Sequence, residues 1–265
     1  MTNVREAGRR YLGTIAYHVL PPVLALTALL IVWEAWVRLR DVSIFLAPAP
    51  SDVWLRFIED PRFFWGEGGY TLYEATLGLL VGSAAALALA VLISHSSLAE
   101  RSIFPLAIAI KVTPLVAVAP VLVIMLGFGT TPKVIVAALL CFFPVLVNAM
   151  TGFRDVDPKA LDFMRSVRAS PWQVFWKMRV PSSLPYLFAA LKVAYPLALI
   201  GAVVAEWFTG DRGLGLVIFV ANSQLDTATL FAAIFVLAST GVMLNALIYL
   251  VERRVLHWHE SFRTL

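Results

Sequence analysis

The sequence predicts an all-α membrane protein of about six transmembrane helices, with a helix–turn–helix loop on the cytoplasmic side. Three observations carry this reading. Of the 265 residues, 60% are hydrophobic and only 14% charged, against about 25% charged in soluble domains, so much of the surface must face lipid. Six apolar runs are long enough to cross a hydrocarbon core, which takes about 20 helical residues. One long, polar and basic stretch between the fourth and fifth runs is dense in helix punctuation. Backbone groups find no water in lipid, so the apolar runs are expected to be helices.

The first run, Val19 to Val37, follows Arg5, Arg9 and Arg10 in the manner of a signal peptide. It contains Trp33 and Glu34, however, and no small-residue cleavage pattern closes it. It reads as a retained span after a cytoplasmic tail, residues 1–18. Ala47-Pro48-Ala49-Pro50 then leads to Ser51, the expected N-cap of a short helix carrying Val53, Trp54, Leu55, Phe57 and Ile58 at the lipid interface. The second run, Tyr70 to Ile93, holds Gly78 and Gly82, a small-xxx-small spacing suited to helix packing. In the third, Phe104 to Leu126, Pro105, Pro114 and Pro120 are each expected to interrupt the hydrogen-bond ladder. Cys141, the only cysteine, lies in the fourth run, Val134 to Met150, as a packing residue; one cysteine makes no disulfide framework. Leu184 to Phe208 and Leu230 to Val251 complete the membrane domain, residues 19–252, with a second cytoplasmic tail at 253–265.

Lys and Arg set the orientation. With both termini in the cytoplasm, that side holds Arg5, Arg9, Arg10, Arg101, the basic residues of the long loop, Arg253, Arg254 and Arg263. The opposite side holds Arg38, Arg40, Arg56, Arg62, Lys133 and Arg212, diluted by Asp41, Asp52, Glu59, Asp60 and Glu67. The net charge of +4 is therefore read as cytoplasmic charge, not as a nucleic-acid surface.

The loop, residues 154–181, is expected to form two short helices. Asp157-Pro158 supplies an N-cap acceptor and a proline at the first helical position. Ser170-Pro171-Trp172-Gln173 repeats the device as a capping box. The helices would run from Pro158 to Val167 and from Pro171 to Met178, after which Pro181 and Pro185 return the chain to the bilayer. Phe163, Met164, Val167, Trp172 and Phe175 need something to cover them, either a docked partner or the protein's own spans.

Ionisable residues inside spans are costly and stand as functional candidates. Lys111, beside Thr113 and Pro114 in the proline-broken run, is the foremost candidate for a pathway; a broken helix frees backbone groups to line one, and snorkelling to an interface is the competing reading. Asn148, Lys192 and Glu206 are further pathway candidates, the competing readings being a hydrogen bond between helices for Asn148 and an interfacial position for Lys192 and Glu206, with Glu34 and Glu74 weaker candidates. His18, His95, His257 and His259 lie in separate regions and make no metal-ligand cluster.

Asp162-Phe163-Met164, Arg168 and Met178-Arg179-Val180-Pro181 are spaced like the Glu-Ala-Ala loop of ABC importer permeases. Pro48-Ala49-Pro50-Ser51, Ala119-Pro120, Phe143-Pro144-Val145-Leu146-Val147-Asn148, Ala169-Ser170-Pro171-Trp172-Gln173 and Gly213-Leu214-Gly215 resemble the nitrate/sulfonate/taurine-type branch. The likeness covers about Ala47 to His257. It departs in two places: Asp162-Phe163-Met164 stands for Glu-Ala-Ala, and Arg168 for the turn glycine, where positive φ favours glycine. The resemblance implies the type I permease fold in a prokaryotic inner membrane. It also implies a second permease copy or homologue, an extracytoplasmic substrate-binding protein, and a separate ATPase subunit in contact with Asp162, Phe163, Met164, Arg165, Ser166, Val167, Arg168, Ala169 and Trp172. The chain carries no Gly-x-x-x-x-Gly-Lys-Ser/Thr loop, so ATP is expected on the partner and no cofactor here. Lys111-Val112-Thr113-Pro114 and Gly201-Ala202-Val203-Val204-Ala205-Glu206 look like permeases for vitamins and their precursors, such as riboflavin or a thiamine-precursor pyrimidine. A sulfonate or nitrate permease is the alternative. An intramembrane enzyme would need a nucleophile–base pair, His-Glu-x-x-His or paired carboxylates, none of which the sequence contains. A secondary transporter needing no ATPase would fit the spans without the loop.

Overall fold

The computed structural model describes residues 2–257, with side chains from Leu20 onward apart from Ser97. Arg5, Arg9, Arg10 and His18, and at the other end His259 and Arg263, lie outside the described side chains. Among the described residues every regular element is helical. The chain divides into two compact units: one runs up to Pro61 and includes Ala221–Ala232, the other takes in Arg62–Val220 and the chain from Ala233 onward.

In the first unit, α1 (Thr2–Leu39) continues through Pro21 and Pro22, and its Leu20–Leu39 portion is long and apolar enough to span. The next helix, α2 (Pro50–Glu59), begins two residues earlier than expected. Proline is pre-organised for the first helical position, so Ala49 becomes the N-cap and the Asp52 carboxylate accepts from the Ala49 N–H at 3.2 Å. The Ser51 hydroxyl, freed from capping, donates to Glu34 at 2.8 Å, and the Ser51 N–H does so at 3.0 Å. Arg38 joins Glu34 (3.1 Å) to Asp52 (2.9 Å), so Glu34 serves to bind α2 to the end of the first span.

The second unit is built on α3 (Pro61–His95), α4 (Ser97–Val112), α5 (Leu115–Leu126), α6 (Thr130–Arg154), α7 (Pro158–Ser166), α8 (Pro171–Val174) and α9 (Val180–Thr209), with most of α10 (Leu214–Ser223) and α11 (Thr227–Val255). Among the described residues five helices are long and apolar enough to cross a membrane, and α4 with α5 make a sixth span if counted together, bent by 96°. That bend lies at Thr113-Pro114 alone; α4 and α5 pass through Pro105 and Pro120 without breaking. Thr113 closes α4 with its N–H on the Ala109 and Ile110 carbonyls and its hydroxyl on Ala109, which ends the helix before Pro114 can be accommodated.

Packing between α6 and α9 is extensive, with Ala137, Cys141, Val145 and Ala149 in one cluster with Ala190, Ala194 and Ala198. Small side chains let the backbones approach, since association in lipid rests on packing contacts. A Cβ on Gly201 would lie 2.7 Å from the Ala137 Cα, and one on Gly82 would lie 2.5 Å from the Ala138 carbonyl oxygen. Gly78 and Gly82 thus seat α3 on α6, as their spacing predicts. Outer faces stay apolar, with Ile124 84% and Leu80 60% exposed, as lipid-facing surfaces require.

The loop and the segment after the fifth span also depart from expectation. The second short helix does not stop at Met178: α8 passes through a π-helical turn, Phe175–Arg179, directly into α9, and Pro181 and Pro185 lie within that helix. Between the fifth and sixth predicted spans the fold adds α10, a helix not assigned from sequence.

Candidate functional site

The loop between α6 and α9 is held by caps at each turn. The Asp157 carboxylate accepts from the Lys159 N–H at 2.9 Å, with Pro158 at the first helical position. At the other end of α7 the Ala169 N–H reaches the Met164 carbonyl and the Arg168 N–H reaches the Arg165 carbonyl, both at 2.9 Å. This is the Schellman pattern, whose reversing residue takes a left-handed conformation. Arg168 is that residue, with φ +53°. The turn keeps the conformation a glycine would favour, and arginine bears a strain of about 1–2 kcal/mol. The capping box that opens α8 forms as expected: the Ser170 hydroxyl accepts from the Gln173 N–H at 3.3 Å and the Gln173 side chain accepts from the Ser170 N–H at 2.8 Å.

The apolar groups of the loop divide between the two readings left open by sequence. Phe175 is buried, with its ring centroid 5.5 Å from Phe153 and 5.3 Å from His95. Met164 and Ala169 are half-buried. Phe163 (65%), Trp172 (65%) and Val167 (56%) are exposed. Trp176, which the sequence reading did not single out, joins them, edge-on to Trp172 at 5.5 Å. Asp162 and Arg165 pair at 2.9 Å on the exposed face of α7, and the Ser166 hydroxyl donates to the Phe163 carbonyl. Beneath the loop, Ser94, His95, Ala169, Pro171, Val174 and Arg179 line a cleft of about 340 Å³.

The pathway candidates separate as well. Lys111, Thr113 and Pro114 are exposed at the bend, with the Lys111 Nζ 4.7 Å from the centre of the Phe143 ring. The Asn148 side-chain amide is spent within its own helix on the Pro144 carbonyl, at 2.8 Å. Lys192 joins α9 to α11 through Glu252, with Nζ 2.6 Å from Oε2. Glu206, about 21 Å along α9 from Lys192 at 1.5 Å per residue, is fully buried.

Glu206 belongs to a buried polar cluster that the sequence reading did not assemble. Three consecutive N–H groups at the start of α10 are each taken by a different side chain. The Gly213 N–H donates to Glu67 at 2.6 Å, the Leu214 N–H to the Thr71 hydroxyl at 2.8 Å, and the Gly215 N–H to Glu206 at 2.5 Å. The Thr71 hydroxyl in turn donates to Glu206 at 2.7 Å. Carboxylates suit a helix N-terminus, where unpaired N–H groups concentrate positive charge. Gly213 has φ +112°, and a Cβ there would strike the Glu206 carboxylate, as would one on Gly215. The Gly-Leu-Gly sequence thus has a steric and a conformational cause.

Beside these groups lies Lys133, counted from sequence among the external charges but fully buried. Its ammonium has three protons and three acceptors: Glu74 at 3.0 Å, Asp211 at 2.6 Å and the Arg212 carbonyl at 3.1 Å. Burial raises the Asp211 carboxyl, but the hydrogen bonds from Lys133 and the Arg212 N–H outweigh it and hold Asp211 below the ordinary carboxylate value. Arg212 lies over the Tyr70 ring, 4.6 Å from its centre. One sequence signal could have found the pair: a lysine in the first turn of an apolar helix opposes the helix dipole and calls for a carboxylate.

Comparison with known proteins agrees with this architecture. The family model described as binding-protein-dependent transport system inner membrane component matches residues 78–257. The formylaminopyrimidine transport permease protein ThiX of Halalkalibacterium halodurans is 31% identical, over 93% of this chain and 98% of that one. The riboflavin transport system permease protein RibX of Chloroflexus aurantiacus is 34% identical, over 89% of each. Other relatives bear the names of sulfonate, taurine and nitrate permeases. Among solved structures, an amino acid ABC transporter crystallised with histidines matches with a TM-score of 0.61 at 19% identity, over 76% of this chain and 97% of that one. The chain therefore belongs to the inner membrane components of binding-protein-dependent transport systems, as a permease subunit of an ABC importer of the type I fold and the sulfonate/nitrate branch.

Proposed function

We propose that this permease forms its substrate path with a second copy or a homologue. A separate ATPase docks on loop 154–181 from the cytoplasm, and a substrate-binding protein delivers solute from outside. Both tails, residues 1–18 and 253–265, would then be cytoplasmic, flanking a membrane domain of residues 19–252. The observation that carries the docking role is the exposed set Phe163, Val167 and Trp172 on a helix pair capped at every turn. Because α8 continues into α9, a push on Trp172 would reach a spanning helix through unbroken backbone.

Asp162, Arg165, Ser166 and Arg168 form the polar part of that surface, while Met164 and Ala169 support it from the half-buried side. An exposed i,i+3 pair such as Asp162–Arg165 contributes about 0–1 kcal/mol, so reversing its charges leaves the fold intact. Phe163→Ala, Trp172→Ala and Asp162→Lys should therefore lose the co-purifying ATPase subunit, or its ATP-driven uptake, without a change in thermal midpoint. Retention of both by the Phe163→Ala/Trp172→Ala double variant would reject the docking assignment.

For the substrate, the likeness to the ThiX and RibX permeases supports a vitamin or vitamin precursor, a riboflavin-like or pyrimidine ring. A second reading, a sulfonate-type anion, draws support from the exposed ammonium of Lys111 at the helix bend. Competitive uptake of riboflavin and pentanesulfonate in cells dependent on this system separates the two.

A further inference from the structure

We propose that Lys111, set over the Phe143 ring, contacts the transported solute within the membrane and binds an electron-rich oxygen on it. The proposal rests on the permease reading above and adds a residue and a ligand chemistry to it.

Depth is the first observation. Phe143 stands near the middle of α6, 25 residues long, about 20 Å from the Thr130 end and about 17 Å from the Arg154 end at 1.5 Å per residue. A hydrocarbon core is about 30 Å thick. The Lys111 ammonium is 4.7 Å from the centre of that ring, so it lies at the depth of the middle of α6 and does not snorkel to either end.

The second observation is charge. Lys133 and Lys192, the other lysines of the spans, are each neutralised by carboxylates at 2.6–3.0 Å. Lys111 forms no ion pair among the described residues, and its side chain is exposed. A lone ammonium facing hydrocarbon at that depth is costly, so the surface it faces is hydrated or occupied by a polar group. The aromatic face steadies the cation without satisfying its hydrogen bonds, and all three donors remain for a ligand.

The third is backbone. The 96° bend at Thr113-Pro114 opens α5 just beyond Lys111, and both bend residues are exposed. Lys111 lies in the last turn of α4, where the terminal carbonyls favour a cation, so the ammonium itself is the charge presented at the bend. The chemistry that answers it is a sulfonate oxygen or the carbonyl oxygen of a flavin or pyrimidine ring; a cationic solute is repelled.

The test uses the complete transporter, permease with its ATPase and binding protein, in proteoliposomes. Lys111→Cys is treated with a charged, membrane-impermeant methanethiosulfonate, the buried Cys141 of the wild-type chain serving as the unreactive control. We expect labelling, with protection by riboflavin or by pentanesulfonate identifying which oxygen chemistry binds. Lys111→Met should raise KM for the protecting solute at least about tenfold, the loss of one charge-assisted hydrogen bond, and Lys111→Arg should restore it. Absence of labelling would mean that the side chain faces lipid or a protein surface, and would overturn the proposal. Labelling without protection by either probe, together with an unchanged KM in Lys111→Met, would overturn it equally. A wild-type system lacking ATP-driven uptake would instead fault the permease reading, while the labelling result would still decide the hydration of Lys111.

Discussion

Replacing Lys133 by methionine isolates what the buried cluster contributes. Methionine fills a similar volume but leaves Glu74, whose side chain is 3% exposed, without a counter-charge. It also releases the Arg212 carbonyl and removes the partner of Asp211, whose side chain is 40% exposed. Water can reach Asp211 and cannot reach Glu74, so most of the loss falls on the carboxylate of α3. Breaking one side of a buried ion pair costs about 3–5 kcal/mol. For a chain of this size, each kcal/mol moves the thermal midpoint by about 2–4 °C, which gives a drop of roughly 10 °C. The measurement is unfolding of the detergent-purified protein, followed by size-exclusion after heating. The matched control is Lys133→Met with Glu74→Met, which removes both charges; replacing a whole buried pair by apolar groups is close to neutral. The double variant should regain at least half of the loss. A single variant within about 2 °C of wild type, or a double variant no better than the single, would refute the reasoning.

The same contacts set three further outcomes. Arg168→Gly should stabilise the α7–α8 turn by about 1 kcal/mol, because glycine removes the Cβ penalty of a left-handed residue at some entropic cost; slower proteolysis of the loop would register it, and Arg168→Val should act in the opposite sense. Gly82→Ala, whose new methyl group meets the Ala138 carbonyl oxygen at 2.5 Å, should cost about 1–3 kcal/mol through overpacking, whereas Gly69→Ala, with nothing within 4 Å, should not lower the midpoint. The pH dependence has a definite sign: Asp211 is held below its ordinary value when folded, so its contribution is complete above the ordinary carboxylate range and is lost as pH falls through the folded value. Midpoints measured from neutral pH downward should fall less steeply in Asp211→Asn.

Features that rest on local, one-dimensional physics were legible in the sequence alone. Apolar runs of spanning length, the caps at Asp157-Pro158 and Ser170-Pro171, and the Gly78–Gly82 spacing all reappear in the fold, because each depends on neighbours within a turn or two. At Arg168 only the family resemblance pointed to a turn, and whether arginine altered it stayed open until the fold showed a left-handed residue there. Tertiary structure decided whatever depends on partners far apart in the chain. Lys133, Glu74 and Asp211 are separated by more than a helix in sequence, so no periodicity announces that they meet, and a lysine beside a loop reads as solvated until its surroundings are known. Glu206, from sequence either a pathway candidate or an interfacial residue, caps α10 in the fold, with its hydrogen bonds from Thr71 and Gly215. Which of three prolines would break a helix depended on where the chain could leave it, and only Thr113-Pro114 offered a closed cap before the ring. Phe175 and Phe163 are alike in sequence and opposite in the fold, since burial is a property of the packed neighbours and not of the side chain.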